Sequence, residues 1–356
     1  MDKKLLDIYS DYLIAQNQYA TATGLSALLD GEISHDKITR FLNSKETSSK
    51  ELWQYVKSEI RRVEENTGGV LILDDTIEEK TYTDESEIIC WHHSHAKGRF
   101  VKGVNLLSAL IRYGDIALPI ACEVVHKDLF FCDIATRKEK RRSSTTKNEM
   151  FRSIIAQAVK NEVKFDYVLS DNWFGAKKNM EFIHYDMKKK FIIGLKANRL
   201  IACPEEEKKG QYQNLSTLNL KDGEKRVVQL KELPFPVALT AKIFKNEDNS
   251  TGTLYLVTND LESSADRIYE VYQKRWQIEI YHKSIKQNAS LEKSPTKVAR
   301  SQKNHIFASI VSYCKLEFLK QTTSLNHFAL KYKLPIKANQ SAFQELQKLR
   351  ERPMLA

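Results

Sequence analysis

VLILDDT, residues Val70–Thr76, reads as a buried strand that ends on carboxylates. Four consecutive apolar residues suit a strand covered on both faces, and the polar residues after them mark its end. A second stretch repeats the design: FDYVLSDNWF, Phe165–Phe174, is an apolar run closing on Asp171. A carboxylate at the end of a buried strand is held rigidly at a cleft. Two such strands side by side bring their carboxylates together. Either aspartate alone is more often the cap of a following turn. With a third acid, the pair becomes the oxygen-ligand set that holds two divalent cations about 3.5–4 Å apart in phosphoryl transfer.

YQKRWQIEIYHKSIKQ, Tyr272–Gln287, offers that acid. The spacing predicts a helix. At about 100° per residue, Tyr272, Arg275, Glu279 and Lys286 fall within roughly 60° of one another. Tyr272, Glu279 and Lys286 lie whole heptads apart and form a polar ridge about 21 Å long. An exposed charged face is the ordinary reading of such a ridge. The other reading is that the helix delivers Glu279 to the two aspartates.

The rest of the chain is organised around these segments. The first 65 or so residues read as helices. ATGLSALLD, GEIS and HDKITRFLN resemble two short helices about a turn at Gly31, with Ser34 as N-cap of the second. Lys37 and Arg40 lie on the polar side of that second helix, as in a helix-turn-helix DNA reader or an ordinary helical hairpin. Gly68-Gly69 marks a boundary. VKGVNLLSALIRYGDIALPIACEVV reads as two strands about Gly114-Asp115. A basic loop, TRKEKRR, and a helical segment, FRSIIAQAVKN, follow before the Asp171 strand. Residues 191–258 are β-like with polar loops. Strands and helices in this order predict an α/β core. Asp74 and Asp171 are 97 residues apart, and Asp171 and Glu279 are 108 apart. The second interval exceeds any simple strand-to-helix connection, so an inserted β-rich domain is expected. ERPMLA at the end reads as a frayed tail.

Composition narrows the partner. The 356 residues suggest about two domains. A formal net charge of +10 points to a polyanion such as nucleic acid. Five cysteines without CxxC spacing argue against a disulfide scaffold. The N-terminus lacks the apolar run of a secretory signal, and no stretch approaches about 18 apolar residues, so no membrane span is expected.

Tyr272-x2-Arg275-x3-Glu279-x6-Lys286 resembles the Tyr-Arg-Glu-Lys motif of bacterial insertion-sequence DDE transposases of the cut-and-paste IS-four type. LDDT at Leu73–Thr76 resembles the family's first catalytic block, and SDNWF its second. The resemblance covers roughly residues 65–320, and the N-terminal helices fit loosely as an end-recognition domain. It implies an α/β fold with an RNase H-like core interrupted by a β-rich insertion. The divisions are a helical DNA-binding domain at 1–66, the core's first part at 67–190, and the insertion at 191–258. The core's second part is at 259–335, with a C-terminal helix and tail at 336–356.

The resemblance also implies roles. Asp74, Asp171 and Glu279 would be catalytic and bind two Mg²⁺ ions per site, with Mn²⁺ able to substitute. The Asp-x-Thr pattern favours Asp74 over Asp75, which stays as the alternative. Arg275 and Lys286 would hold phosphates, one as a fork and the other as a point charge. Tyr272 would contact a phosphate or orient Arg275. The partner would be double-stranded DNA, both terminal inverted repeats and target, engaged by a homodimer in a bacterial cytoplasm at the nucleoid. Trp173 is placed to stack on an extruded base or to sit in the core. Arg137, Lys138, Arg141 and Arg142 would clamp the backbone or form a solvated charge run. His92, His93 and His95, with Cys90, have no second cluster at zinc spacing and read as a polar edge with Lys97, Arg99 and Lys102. A DNA-binding derivative without cleavage and a related RNase H-like nuclease are the competing readings.

Overall fold

The computed structural model describes residues 1–64, 68–94, 97–203, 210–245 and 247–351. The chain divides into two compact units. One comprises Met1–Tyr55, Tyr82–Ser86 and Ile280–Ala356; the other comprises Val56–Thr81 and Glu87–Glu279.

The second unit is organised on one large sheet. Its strands are β1 (Val70–Glu79), β2 (Cys90–Ser94), β3 (Arg99–Tyr113), β4 (Ile116–Val124), β7 (Tyr167–Ser170) and β8 (Lys190–Leu195). The sheet continues through β9 (Leu200–Ala202), β10 (Gln213–Asn214), β11 (Lys225–Leu230), β12 (Val237–Lys245) and β13 (Thr251–Thr258). The order is β10-β9-β11-β12-β13-β8-β7-β1-β3-β2, with β4 also paired to β3. β1 and β3 are antiparallel, β3 and β4 form the antiparallel hairpin about Gly114, and β1-β7-β8 is parallel. Leu71, Ile72, Leu73, Val168, Leu169, Phe191 and Ile193 on the parallel strands are fully buried. Continuous apolar runs are what two-sided burial of parallel strands demands. The β-rich residues after β8 extend this same sheet, since β13 pairs with β8 and β12 with β13.

Two local expectations are corrected. The basic segment is a two-stranded hairpin, not a loop: β5 (Leu129–Asp133) pairs with β6 (Lys138–Arg142). Its turn is closed by the Asp133 carbonyl, which accepts the Arg137 amide at 2.7 Å, and by left-handed backbone at Arg137, φ 52°. Nor is Tyr272–Gln287 one continuous α-helix. Helix Ala265–Gln273 passes through a 3₁₀ turn, Lys274–Trp276, into helix Gln277–Gln287. The tighter winding shifts the angular register. Tyr272, in the helix before that turn, is buried at 7% exposure rather than lying along an exposed ridge.

The first unit is helical. It contains α1 (Lys3–Ala15), α2 (Ala22–Leu28), α3 (His35–Leu42) and the start of α4 (Ser49–Val63). Helices Ala299–Thr323 and His327–Glu351 follow later in the chain. Gly31 turns the chain at φ 81°, and the Ser34 hydroxyl caps α3 by accepting the Lys37 amide. Leu5, Tyr9, Leu13, Leu25, Ile38, Phe41 and Ala308 form its core. His305 is tied within it, bonded to the Tyr9 hydroxyl at 2.9 Å and the Ser290 carbonyl at 3.0 Å. Among the described residues no helix is long and apolar enough to cross a membrane. The terminal segment 352–356, the boundary residues 65–67 and His95 lie outside the described residues.

Candidate active site

Parallel pairing of β1 with β7 sets Ile72 opposite Leu169. Continuing that register by two residues puts Asp74 beside Asp171, which follows the last residue of β7. The expectation that the first strand ends on its carboxylates is corrected, since β1 stays paired with β3 as far as Glu79 and Asp74 lies mid-strand. Each is partly committed to backbone. Asp74 Oδ1 accepts the Asp75 amide at 2.8 Å, and Asp171 Oδ1 accepts the Trp173 amide at 3.0 Å as N-cap of the turn Asn172–Phe174. Burial, then the neighbouring Asp171 charge, pushes the Asp74 carboxyl up to about 7. Burial raises Asp171 as well. Two carboxylates that resist sharing one place unless a cation joins them are a hard-cation donor set by chemistry.

One cation is supplied by the chain itself. Arg275 Nη1 lies 3.4 Å from Asp74 Oδ2, and its Nη2 donates to Glu279 Oε1 at 2.7 Å. Its guanidinium carbon is 5.6 Å from the Tyr272 ring centre. Burial pushes the Tyr272 hydroxyl up to about 12. Asp74, Asp171, Arg275, Tyr272 and Glu279 are thus brought into one neighbourhood. Glu279 is held by Arg275, and among the described residues no group of three His, Cys, Asp or Glu side chains is assembled around a cation position.

Gly194 on β8 makes room for this arrangement. A Cβ there would stand 3.2 Å from the Asn172 amide nitrogen and 3.3 Å from the Tyr272 hydroxyl. A glycine inside a strand marks such a close approach, but its partner is set by the fold and could not be read from the sequence.

Asp75 faces elsewhere. Consecutive strand residues alternate faces, and Asp75 Oδ2 accepts from Asn105 Nδ2 at 2.7 Å and Lys147 Nζ at 3.0 Å. Lys147 opens α5 (Lys147–Lys160). Its ammonium also sits 4.1 Å above the Trp173 ring centre, and Phe174 packs edge-on to that ring at 4.9 Å. Trp173 is therefore half-buried with one face under a cation. Sequence reasoning missed Lys147 and Asn105 because their partner lies 72 and 30 residues away.

The remaining sequence-derived residues are spread out. On the β5–β6 hairpin, Arg141 stacks over Phe130 at 4.1 Å and Arg142 over Phe131 at 5.8 Å. Lys140 pairs with Asp133, and Arg137 and Lys138 are exposed. Lys286 belongs to the helical unit and lies 3.5 Å from Glu292. Lys37 and Arg40 are exposed on α3. On β2, Cys90 and His92 are buried, while His93 is exposed against Phe100.

Two family models match. Residues 2–214 match the DDE superfamily endonuclease model, and residues 124–315 match the transposase DDE domain model. The first span contains Asp74 and Asp171, and the second contains Asp171 and Glu279. No curated protein matches the chain. With each model covering more than half of the sequence, this chain belongs to the DDE superfamily of endonucleases and transposases.

Proposed function

We propose that this chain is a DNA transposase of the cut-and-paste insertion-sequence type, acting through an RNase H-like core. The observation that carries the reading is Asp74 beside Asp171, with Arg275 bonded to both Asp74 and Glu279. The strand order β4-β3-β1-β7-β8, antiparallel then parallel, supports the RNase H-like assignment.

Asp74, Asp171 and Glu279 would be the oxygen donors for Mg²⁺, which when bound would favour attack by an oxygen and departure of another at phosphorus. In cleavage, a water oxygen bonds to phosphorus as the P–O3′ bond breaks, leaving a 5′-phosphate and a free 3′-hydroxyl. In joining, that hydroxyl bonds to a target phosphorus and displaces the target's own 3′-oxygen, which leaves as a hydroxyl. Arg275 presents a planar fork to a phosphate and orients Glu279, while the buried Tyr272 ring supports the guanidinium. Lys286 supplies a point charge to the backbone. Lys37 and Arg40 engage the element's ends from residues 1–66, and the β5–β6 arm grips backbone through Arg137, Lys138, Arg141 and Arg142. Two ends must be joined, so a homodimer is the working form.

The test is incubation with the element's own ends and Mg²⁺, resolved on denaturing gels. Nicked and joined products are expected, with Asp74→Asn, Asp171→Asn and Glu279→Gln each losing both by orders of magnitude. Nicks without joining indicate a nuclease. End binding without any cleavage indicates a DNA-binding derivative.

A further inference from the structure

We propose that Lys147, with Asn105, holds Asp75 away from the metal-binding carboxylates, so that only one of two adjacent aspartates serves as a ligand. This rests on the metal reading of Asp74 and Asp171 given above. Asp74 and Asp75 are consecutive carboxylates, a ligand type suited to a hard cation. In β1 they pair with Ser108 and Leu107 of β3, so their side chains leave opposite faces of the strand. β1 continues to Glu79 beside β3, but its pairing with β7 stops at Ile72, and on that open edge a free carboxylate can swing towards a cation. Asp75 is not free. A single oxygen, Oδ2, takes both the Asn105 amide at 2.7 Å and the Lys147 ammonium at 3.0 Å.

The restraint is anchored on all sides. Asn105 is 2% exposed. Lys147 is the first residue of a helix fixed by a capping box between Thr146 and Glu149. Its ammonium is seated 4.1 Å over Trp173, whose own amide is bonded to Asp171. The same turn that positions one ligand therefore also positions the lysine that restrains the competing carboxylate. As a bare ion pair, a partly exposed contact of this kind contributes little stability. Its consequence is positional: a misplaced reacting group by about 1 Å can cost about 100-fold in rate. Lys147 is in this sense a positioning residue and touches no reacting atom.

The test uses the full chain and needs no DNA for its first readout. Mn²⁺ binding is measured by the electron paramagnetic resonance of free Mn²⁺ for wild type, Lys147→Met, Lys147→Met/Asp75→Asn, Lys147→Arg and Asp74→Asn. Nicking of end DNA is measured for the same set. Methionine keeps the stem length and the contact with Trp173 but removes the charge. Lys147→Met is expected to bind Mn²⁺ several-fold more tightly, because Asp75 joins the site. It is expected to nick about 10- to 100-fold more slowly, the usual size of an outer-shell disturbance. Adding Asp75→Asn reverses both changes, and Lys147→Arg shows neither. Tighter binding that persists in the double variant would mean simple loss of nearby positive charge and overturn the proposal. So would normal nicking by Lys147→Met, or slow nicking that Asp75→Asn does not relieve. Asp74→Asn binding Mn²⁺ as wild type does would be a separate result. It removes the metal reading of the carboxylate pair, and the Lys147 proposal falls with it.

Discussion

Arg275→Met should destabilise the metal-free protein, and a divalent cation should restore most of the loss. Arg275 is 16% exposed and bonds to Asp74, which is 18% exposed, and to Glu279, which is 38% exposed. The Glu279 contact is a half-exposed i,i+4 pair and contributes at most about 0.5 kcal/mol. The Asp74 contact is longer at 3.4 Å but more enclosed, and its loss leaves Asp74 facing Asp171 without compensation. Removing one partner of a buried pair costs about 3–5 kcal/mol. The length and partial exposure reduce that here to about 2 kcal/mol. The total of about 2–2.5 kcal/mol should lower Tm by roughly 4–10 °C in EDTA, at about 2–4 °C per kcal/mol for a unit of this size. Arg275→Lys, which reaches one carboxylate but not both, should fall between. Differential scanning fluorimetry in EDTA and in saturating Mn²⁺ measures both states. Mn²⁺ should raise the Tm of Arg275→Met by more than it raises wild type, since the ion takes over the compensation. Equal Mn²⁺ shifts in the two proteins, or an unchanged Tm in EDTA, would refute the reasoning.

Other outcomes follow from the same contacts. His92 is 7% exposed, and burial, aided by Lys127 and Lys147, pushes its imidazole down to about 4. The folded protein then binds fewer protons than the unfolded chain between about pH 6.5 and 4, so stability is complete above that window and falls on acidification, by up to roughly 3 kcal/mol. His92→Gln should flatten that part of the stability curve in urea titrations at several pH values. Gly194→Ala places a methyl against Tyr272 and the Asn172 amide. It should cost about 1–3 kcal/mol as an overpacked site and slow nicking with end affinity preserved. Replacing Arg137, Lys138, Arg141 and Arg142 together by glutamine should make duplex binding less sensitive to salt, because fewer counterions are released; an unchanged log–log slope would assign that arm to solvent.

Much of the fold was legible because local pattern and global burial agree on it. VLIL and YVL are strands in any context that buries both faces, and the Gly114 turn between two apolar runs leaves little but a hairpin. Ser34 before HDKITRFL is a cap wherever that helix forms, and it caps it here. The β5–β6 hairpin was less visible because its strands are stabilised by arginine–phenylalanine stacking across the pair. A run of five residues dominated by charge carries no strand signal of its own. The 3₁₀ turn at Lys274–Trp276 was hidden for the opposite reason. Every residue there tolerates an α-helix, and only the burial of Tyr272 beside Gly194 shows how the turn is accommodated.

The site divides along the same line. Residue types at the ends of buried strands point to carboxylate chemistry, because an aspartate closing an apolar run has few ways to be satisfied. The sequence also raises the choice between Asp74 and Asp75, and it leans to Asp74 only through the Asp-x-Thr pattern. The contacts that hold Asp75 come from Asn105 and Lys147, one on the neighbouring strand and the other at the start of a helix 72 residues on. Neither residue is unusual in composition or spacing. Their contacts exist only when β3 pairs with β1 and α5 brings its first residue to Asp75. Arg275 behaves likewise. Its four-residue spacing to Glu279 puts the two side chains on one side of the predicted helix, and they pair across the 3₁₀ turn, but its reach to Asp74 crosses 201 residues. The charges that belong to a helix face are therefore readable from periodicity, while the charges that tune a carboxylate pair are readable only from the pairing of strands.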